Sequence, residues 1–234
     1  MSVHEGHRAR MRQQIEQFGM DSLSDVQLLE VALYPVLPRG DTNELAHRLL
    51  TRFESLSGVL EANRAALLEV EGVGARTADY LMLFLQMERR HMICRADFDR
   101  VLDSTTKCGQ YLLPHFMGEQ DEVVWLLCLD GKCKALDCRL IHRGCMNTAA
   151  ISIRKVVKTA LERNATSVVV AHNHPSGIAL ASREDRETTR ALQTALDAVG
   201  VTLADHIIVA DGDFISMASD GMMEPLPAKT GTAG

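Results

Sequence analysis

A chain of 234 residues, 46% hydrophobic and 24% charged, has the balance of a globular protein and is too apolar to be disordered. Its 25 Lys and Arg against 31 Asp and Glu leave a net charge of -6, which argues against a broad nucleic-acid-binding surface. Division of the chain does not rescue one: residues 1–100 hold 12 Arg, no Lys and 15 acids, and residues 101–234 hold 13 basic and 16 acidic side chains. Apolar stretches such as Leu81–Leu85 and Val123–Leu129 fall far short of the roughly 18 residues of a membrane span. The N-terminal stretch has no apolar run of the secretory kind, so the expected location is the cytoplasm, with reduced thiols.

Along residues 1–100 every element reads as helix. The charged segment Glu5–Phe18 ends at Gly19, and Ser24 caps a helix over Asp25–Leu33 that Pro35 and Pro38 stop. Asp41 or Thr42 caps the next, where Leu45, Leu49, Leu50 and Phe53 form an apolar stripe of helical period. Asn63 opens a short helix through Val70. The turn Glu71-Gly72-Val73-Gly74 then leads into a long amphipathic helix, Arg76 to about Ile93, expected to bury Leu81, Phe84, Leu85 and Met92. The charged run Arg95–Asp103 marks the boundary between a helical domain, 1–100, and a second domain, 101–220.

The second domain mixes helix and strand. Ser104 starts a helix that ends near Pro114, and Val123–Leu129 is a continuous β-branched, aliphatic and aromatic run. The Asp130-Gly131 hairpin signal follows, with a return strand over Lys134–Ile141. Next come a helix over Thr148–Arg163, a buried-type strand Ser167–Ala171, a helix Ser182–Val199 closed by Gly200, a strand Val201–Val209 and a second hairpin turn at Asp211-Gly212. Residues 221–234, with Pro225, Pro227 and several small residues, read as a flexible tail. The fold class is α+β, an all-helical N-terminal domain followed by a mixed α/β domain. The cysteines Cys94, Cys108, Cys128, Cys133, Cys138 and Cys145 form no Cys-x-x-Cys pair, and the four from Cys128 to Cys145 are expected to pack on strands as small apolar residues.

The chemistry concentrates in Ala171-His172-Asn173-His174-Pro175-Ser176-Gly177, directly after a strand, with Ser182-Arg183-Glu184-Asp185 opening the next helix. Residues two apart in extended backbone point to one side, so His172 and His174 can aim imidazole nitrogens at one point. Pro175 stiffens the exit, Gly177 lets the chain reverse, and Asp185 in the first helical turn can swing its carboxylate to the same point. Two nitrogens and one oxygen at about 2.0–2.2 Å suit Zn²⁺ and leave a fourth tetrahedral position open, as in catalytic sites. A zinc-activated water also needs a proton acceptor and a donor for the developing oxyanion. Ser182 is the candidate donor, one helical turn before Asp185, and Glu122, at the mouth of the first strand, is the candidate base. Each also has a plainer reading: Ser182-x-x-Asp185 fits a helix-capping box, and Glu122 fits a solvated residue opening an edge strand.

His172-x-His174-Pro175, six residues, then Ser182-x-x-Asp185 resembles the JAMM motif of JAB/MPN metalloproteases at every motif position. The fold of that family is a β-sheet flanked by helices, related to the zinc deaminases. The run Asp205-His206-Ile207-Ile208-Val209 and the upstream helical half with Glu71-Gly72-Val73-Gly74 are similar to RadC proteins, bacterial chains often named as DNA repair proteins. This resemblance covers the chain from about Gly6 to Ser219. It implies zinc bound by His172, His174 and Asp185, Ser182 supporting the tetrahedral intermediate, and Glu122 as general base. The reaction implied is hydrolysis of an amide or isopeptide bond in a peptide or protein substrate. No Pro-Cys-x-x-Cys is present, so the zinc cage of nucleobase deaminases is missing. Two rival functions use the same residues: a DNA-binding accessory protein whose zinc is structural, and a metal-dependent nuclease.

Gly72-Val73-Gly74 between apolar helices also looks like the hairpin of a helix-hairpin-helix element. In such an element glycines bring backbone N–H groups to a DNA phosphate, and Arg76 can add a charge. Glu69 and Glu71 beside it favour instead a packing module that braces the metal domain. Asp205 and His206 fit either an outer partner of the metal site or a satisfied buried pair.

Overall fold

The computed structural model describes residues 3–96, 101–144, 152–175 and 177–223. Residues 97–100 of the expected boundary, the helix start at Thr148, Cys145 and residues 224–234 of the expected tail lie outside the described residues. The chain divides into two compact units, Met1–Glu88 and Arg89–Gly234.

Helices α1 (Val3–Phe18), α2 (Asp25–Leu33), α3 (Thr42–Phe53), α4 (Leu56–Glu61), α5 (Arg64–Leu68) and α6 (Ala75–Ala96) make up the first unit, α6 continuing past its end. Side-chain caps set where α2, α3 and α5 start. Ser24 accepts the Gln27 N–H while the Gln27 side chain accepts the Ser24 N–H, Asp41 accepts from Asn43 and Glu44, and Asn63 accepts from Ala66. Leu29, Leu33, Leu45, Leu49, Leu67 and Leu81 pack together with Val73 from the glycine turn. Helix α4, capped by Ser55, was not expected: it is six residues long and contains Gly58, too short a run to show a period. In α6 Leu81 and Leu85 are buried, but Phe84 is 37% and Met92 41% exposed, against expectation. Every residue from Tyr80 to Leu85 is apolar or aromatic, so the helical period does not select a face there.

The second unit is a five-stranded sheet in the order β2-β1-β3-β4-β5, with β1 (Val123–Leu129), β2 (Ala135–Arg143), β3 (Ser167–Asn173), β4 (Thr202–Ala210) and β5 (Asp213–Ser216). Its helices are α7 (Thr105–Leu112), α8 (Ile153–Glu162) and α9 (Arg183–Asp197). Strands β3 and β4 are parallel, and α9 makes the crossover between them; the other pairs are antiparallel. Alternation splits the strands between two cores. Val124, Leu126, Cys128, Val168, Val170 and Leu203 pack with Val156 and Ala160 of α8 and Leu192 and Leu196 of α9. Val123, Leu127, Leu129, Val169, Ala171 and Ile207 pack with Cys108, Tyr111 and Leu112 of α7.

The two hairpins differ. Asp211 and Gly212, with φ of 49° and 75°, connect Ala210 to its partner Asp213 as a two-residue turn of the type that matches strand twist. After β1 the turn is longer: Asp130 Oδ1 accepts the Lys132 and Lys134 N–H groups, and Cys133 takes a φ of 60°. Cys128 is buried as expected, Cys133 and Cys138 are partly buried, and Cys108 is buried too; burial pushes the Cys108 and Cys128 thiols up to about 12 and about 11. Among the described residues no helix is long and apolar enough to cross a membrane.

Candidate metal centre

Strand β3 runs two residues beyond its expected end, so His172 lies on the strand and not in a loop. It continues the row of Val168 and Val170, which faces α8 and α9. His174 follows the strand, its N–H bonded to the Val209 carbonyl of β4 at 2.9 Å. The Gly177 N–H then returns to the His174 carbonyl at 3.1 Å. Gly177 has a φ of 77°, and a Cβ there would lie 2.9 Å from an Asp211 carboxylate oxygen, so this reversal requires glycine.

Asp185 arrives from the first turn of α9. Ser182 caps that helix: its hydroxyl accepts the Asp185 N–H at 3.0 Å and its own N–H donates to Asp185 Oδ2 at 2.8 Å, a reciprocal capping box. The box holds the carboxylate facing the histidines. His172 Nε2 lies 2.9 Å from His174 Nε2 and 3.1 Å from Asp185 Oδ1, and His174 Nε2 lies 3.5 Å from Asp185 Oδ2. The His172 side chain is 0% exposed, Asp185 7% and His174 19%, so the cluster opens to solvent on the His174 side. Among the described residues this is the one group of three such donors that converges.

The tautomers follow from the outer contacts. His174 Nδ1 lies 2.9 Å from the Ile178 carbonyl, which only accepts, so Nδ1 carries the hydrogen and Nε2 keeps its lone pair. On the other side, Thr189 Oγ1 is 2.6 Å from both the Asp185 carbonyl and His206 Nδ1, and His206 Nε2 is 2.9 Å from His172 Nδ1. One assignment gives each contact its hydrogen. The Thr189 hydroxyl donates to the Asp185 carbonyl, His206 Nδ1 donates to Thr189, and His172 Nδ1 donates to His206. His172 Nε2 therefore also presents a lone pair. His206 is fully buried, and burial first, then the neighbouring His172, pushes its pKa down to about 3, keeping it neutral for this relay.

Two lone pairs and a carboxylate aimed at one point repel unless a cation joins them. A proton is the smallest that does so: the Asp185 carboxylate raises the His174 pKa against the opposing effect of burial, and Glu122 adds to the rise. Burial alone would raise the Asp185 pKa, but once protons sit on the Nε2 atoms the hydrogen bonds from His172 and His174 outweigh this and hold the carboxylate well below its usual range. Two neutral imidazoles with fixed Nδ1 hydrogens and one ionised carboxylate are a donor set that fits Zn²⁺ equally well.

Glu122 immediately precedes β1, partly buried, with its carbonyl accepting the Gly144 N–H at 3.0 Å, and its charge is felt by His174. Asp205 and His206 do not pair through their side chains. The His206 ring joins the relay to His172, while Asp205 accepts from Thr105 Oγ1 at 3.2 Å and Ser216 Oγ at 2.6 Å, fastening α7 to β4 and β5. Thr189 and the relay escape sequence reading because their contacts span 17 and 34 residues.

In the helical unit, Gly72 has a φ of 95° and Gly74 has open space where a Cβ would stand. Arg76 is exposed in the first turn of α6, which holds no acidic residue. Arg48 donates to the Glu71 carbonyl at 2.9 Å and so braces this turn from α3.

Residues 102–222 match the family described as the RadC-like JAB domain. The chain is 36% identical over 214 residues to a UPF0758 protein of Pseudomonas savastanoi pv. phaseolicola, spanning 92% of this chain and 96% of that relative. It is 37% identical over 224 residues to a UPF0758 protein of Pseudomonas fluorescens, spanning 95% and 100%. A UPF0758 protein of Azotobacter vinelandii is 37% identical over 214 residues, spanning 92% and 96%.

Proposed function

This chain belongs to the RadC family, and from that premise we propose that it is a cytoplasmic, zinc-dependent hydrolase of amide or isopeptide bonds in peptides or proteins. The observation that carries the reading is the meeting of His172 Nε2, His174 Nε2 and the Asp185 carboxylate with both Nδ1 atoms already engaged. A divalent ion held there supplies Lewis acidity, lowering the pKa of a water and polarising a carbonyl. Glu122 takes the proton from the attacking water as the C–O bond forms and returns it to the leaving amine as the C–N bond breaks. The Ser182 hydroxyl uses its oxygen to accept the Asp185 N–H and keeps its hydrogen to donate to the carbonyl oxygen as charge develops there.

The test is turnover of fluorescein-labelled casein by the zinc-loaded full chain. Turnover is expected to stop on chelation and return with added zinc; turnover that ignores the chelator contradicts the reading.

For the helical unit we propose a DNA contact at the Gly72-Val73-Gly74 turn. The reading is supported by the open space at Gly74, the α6 N-terminus free of acidic residues and the exposed Arg76. Fluorescence anisotropy with a nicked duplex at low salt is expected to show binding that weakens with added salt and in Arg76→Ala. No binding at low salt leaves the unit as a packing module.

A further inference from the structure

Asn173 stands between the two histidines, is 6% exposed, and by strand alternation projects to the opposite side of β3 from His172. Its Oδ1 accepts the Val123 N–H at 2.7 Å, and its Nδ2 donates to the Asp121 carbonyl at 3.1 Å. Those two backbone groups flank Glu122 on either side. The backbone ladder between β1 and β3 ends at the pair Val124 and His172. One step further along, a side-chain amide takes the place of a ladder rung, so residues 121–122 can leave the strand direction and still be tied to it. On the other flank the Gly144 N–H holds the Glu122 carbonyl at 3.0 Å. The chain around Glu122 is thus gripped from both neighbouring strands, and the grip from the histidine strand is one amide group.

We propose that Asn173 is a positioning residue that fixes Glu122 relative to His174, so that the strand bearing the imidazoles also sets the place of the proton acceptor. The proposal rests on the reading of Glu122 as that acceptor. Asparagine suits the task because one planar group both accepts and donates. Aspartate at this position keeps the bond from Val123 but has no hydrogen for the Asp121 carbonyl, and alanine offers neither. A side chain that only seals the end of a strand would, on removal, loosen β1 and β3 together and take metal binding with it.

The experiment compares the zinc-loaded full chain as wild type, Asn173→Ala, Asn173→Asp, Glu122→Gln and the double variant Asn173→Ala/Glu122→Gln. Amide hydrogen exchange, zinc content and turnover of fluorescein-labelled casein are measured on each. In Asn173→Ala the Val123 amide is expected to exchange about tenfold faster or more, while Val168–Val170 keep their protection and zinc content is unchanged. Its kcat falls about tenfold at constant KM, Asn173→Asp lies between it and wild type, and adding Asn173→Ala to Glu122→Gln lowers kcat no further. Unchanged exchange at Val123 overturns the proposal whether or not casein is cleaved. Losses that add in full refute the proposal alone, whereas an intact kcat in Glu122→Gln refutes the reading of Glu122 and the proposal with it.

Discussion

Loaded with zinc and freed of excess ion, the wild-type chain is expected to retain one zinc and the His174→Ala chain none. Three donor atoms share the site, and loss of one imidazole leaves a nitrogen and a carboxylate with no third anchor. The fall in affinity should exceed the roughly 10–100-fold that loss of an outer hydrogen-bond partner costs. The metal-free folds should remain comparable, because His174 is the most exposed of the three and its removal loses the bond to Asp185 while relieving the close approach to His172, two effects of opposite sign. Melting in the absence of metal should therefore differ by no more than about 1 kcal/mol. Added zinc separates the two: at a hundred times its dissociation constant it stabilises the wild type by about 2.7 kcal/mol, and it leaves the variant where it was. Equal zinc content in both chains would mean that the ion binds elsewhere.

Glu122→Gln is expected to keep its zinc and lose turnover by roughly 10²–10⁴-fold, the usual contribution of a positioned proton acceptor. Glutamine has nearly the shape of glutamate, so the backbone bonds at Asp121, Val123 and Gly144 are untouched. What it removes is the negative charge that His174 feels and the oxygen that takes a proton. The diagnostic pattern is a fall in kcat at constant metal content. Turnover of casein at the wild-type rate by this variant would exclude Glu122 from proton transfer and direct attention to another acceptor.

Where local chemistry decides, the sequence and the structure agree closely. Val123–Leu129 is a strand over the span its composition marks, Ser24, Asp41 and Asn63 cap the helices they precede, and Asp211-Gly212 forms the two-residue hairpin. The three candidate ligands are legible for the same reason: period-two spacing and a helix start bring them together by geometry that each short segment carries in itself.

The misses share a different cause. Phe84 and Met92 are misplaced because α6 is apolar on more than one side, and the choice of buried face belongs to packing rather than to period. Strand β3 extends to Asn173 through its pairing with β4, and sequence stops it at Ala171 because its last residues are polar and mask a strand until their partners are known. The His172, His206 and Thr189 relay and the grip of Asn173 on Val123 depend on strand register between distant segments, and nothing within a single segment announces them.

The measurement that bears most directly on the account is zinc X-ray absorption of the loaded wild-type chain. Outer-shell scattering from two imidazoles and a first shell of nitrogen and oxygen at about 2.0–2.2 Å are the predicted result. A first shell containing sulfur, or one with no imidazole scattering, would contradict it.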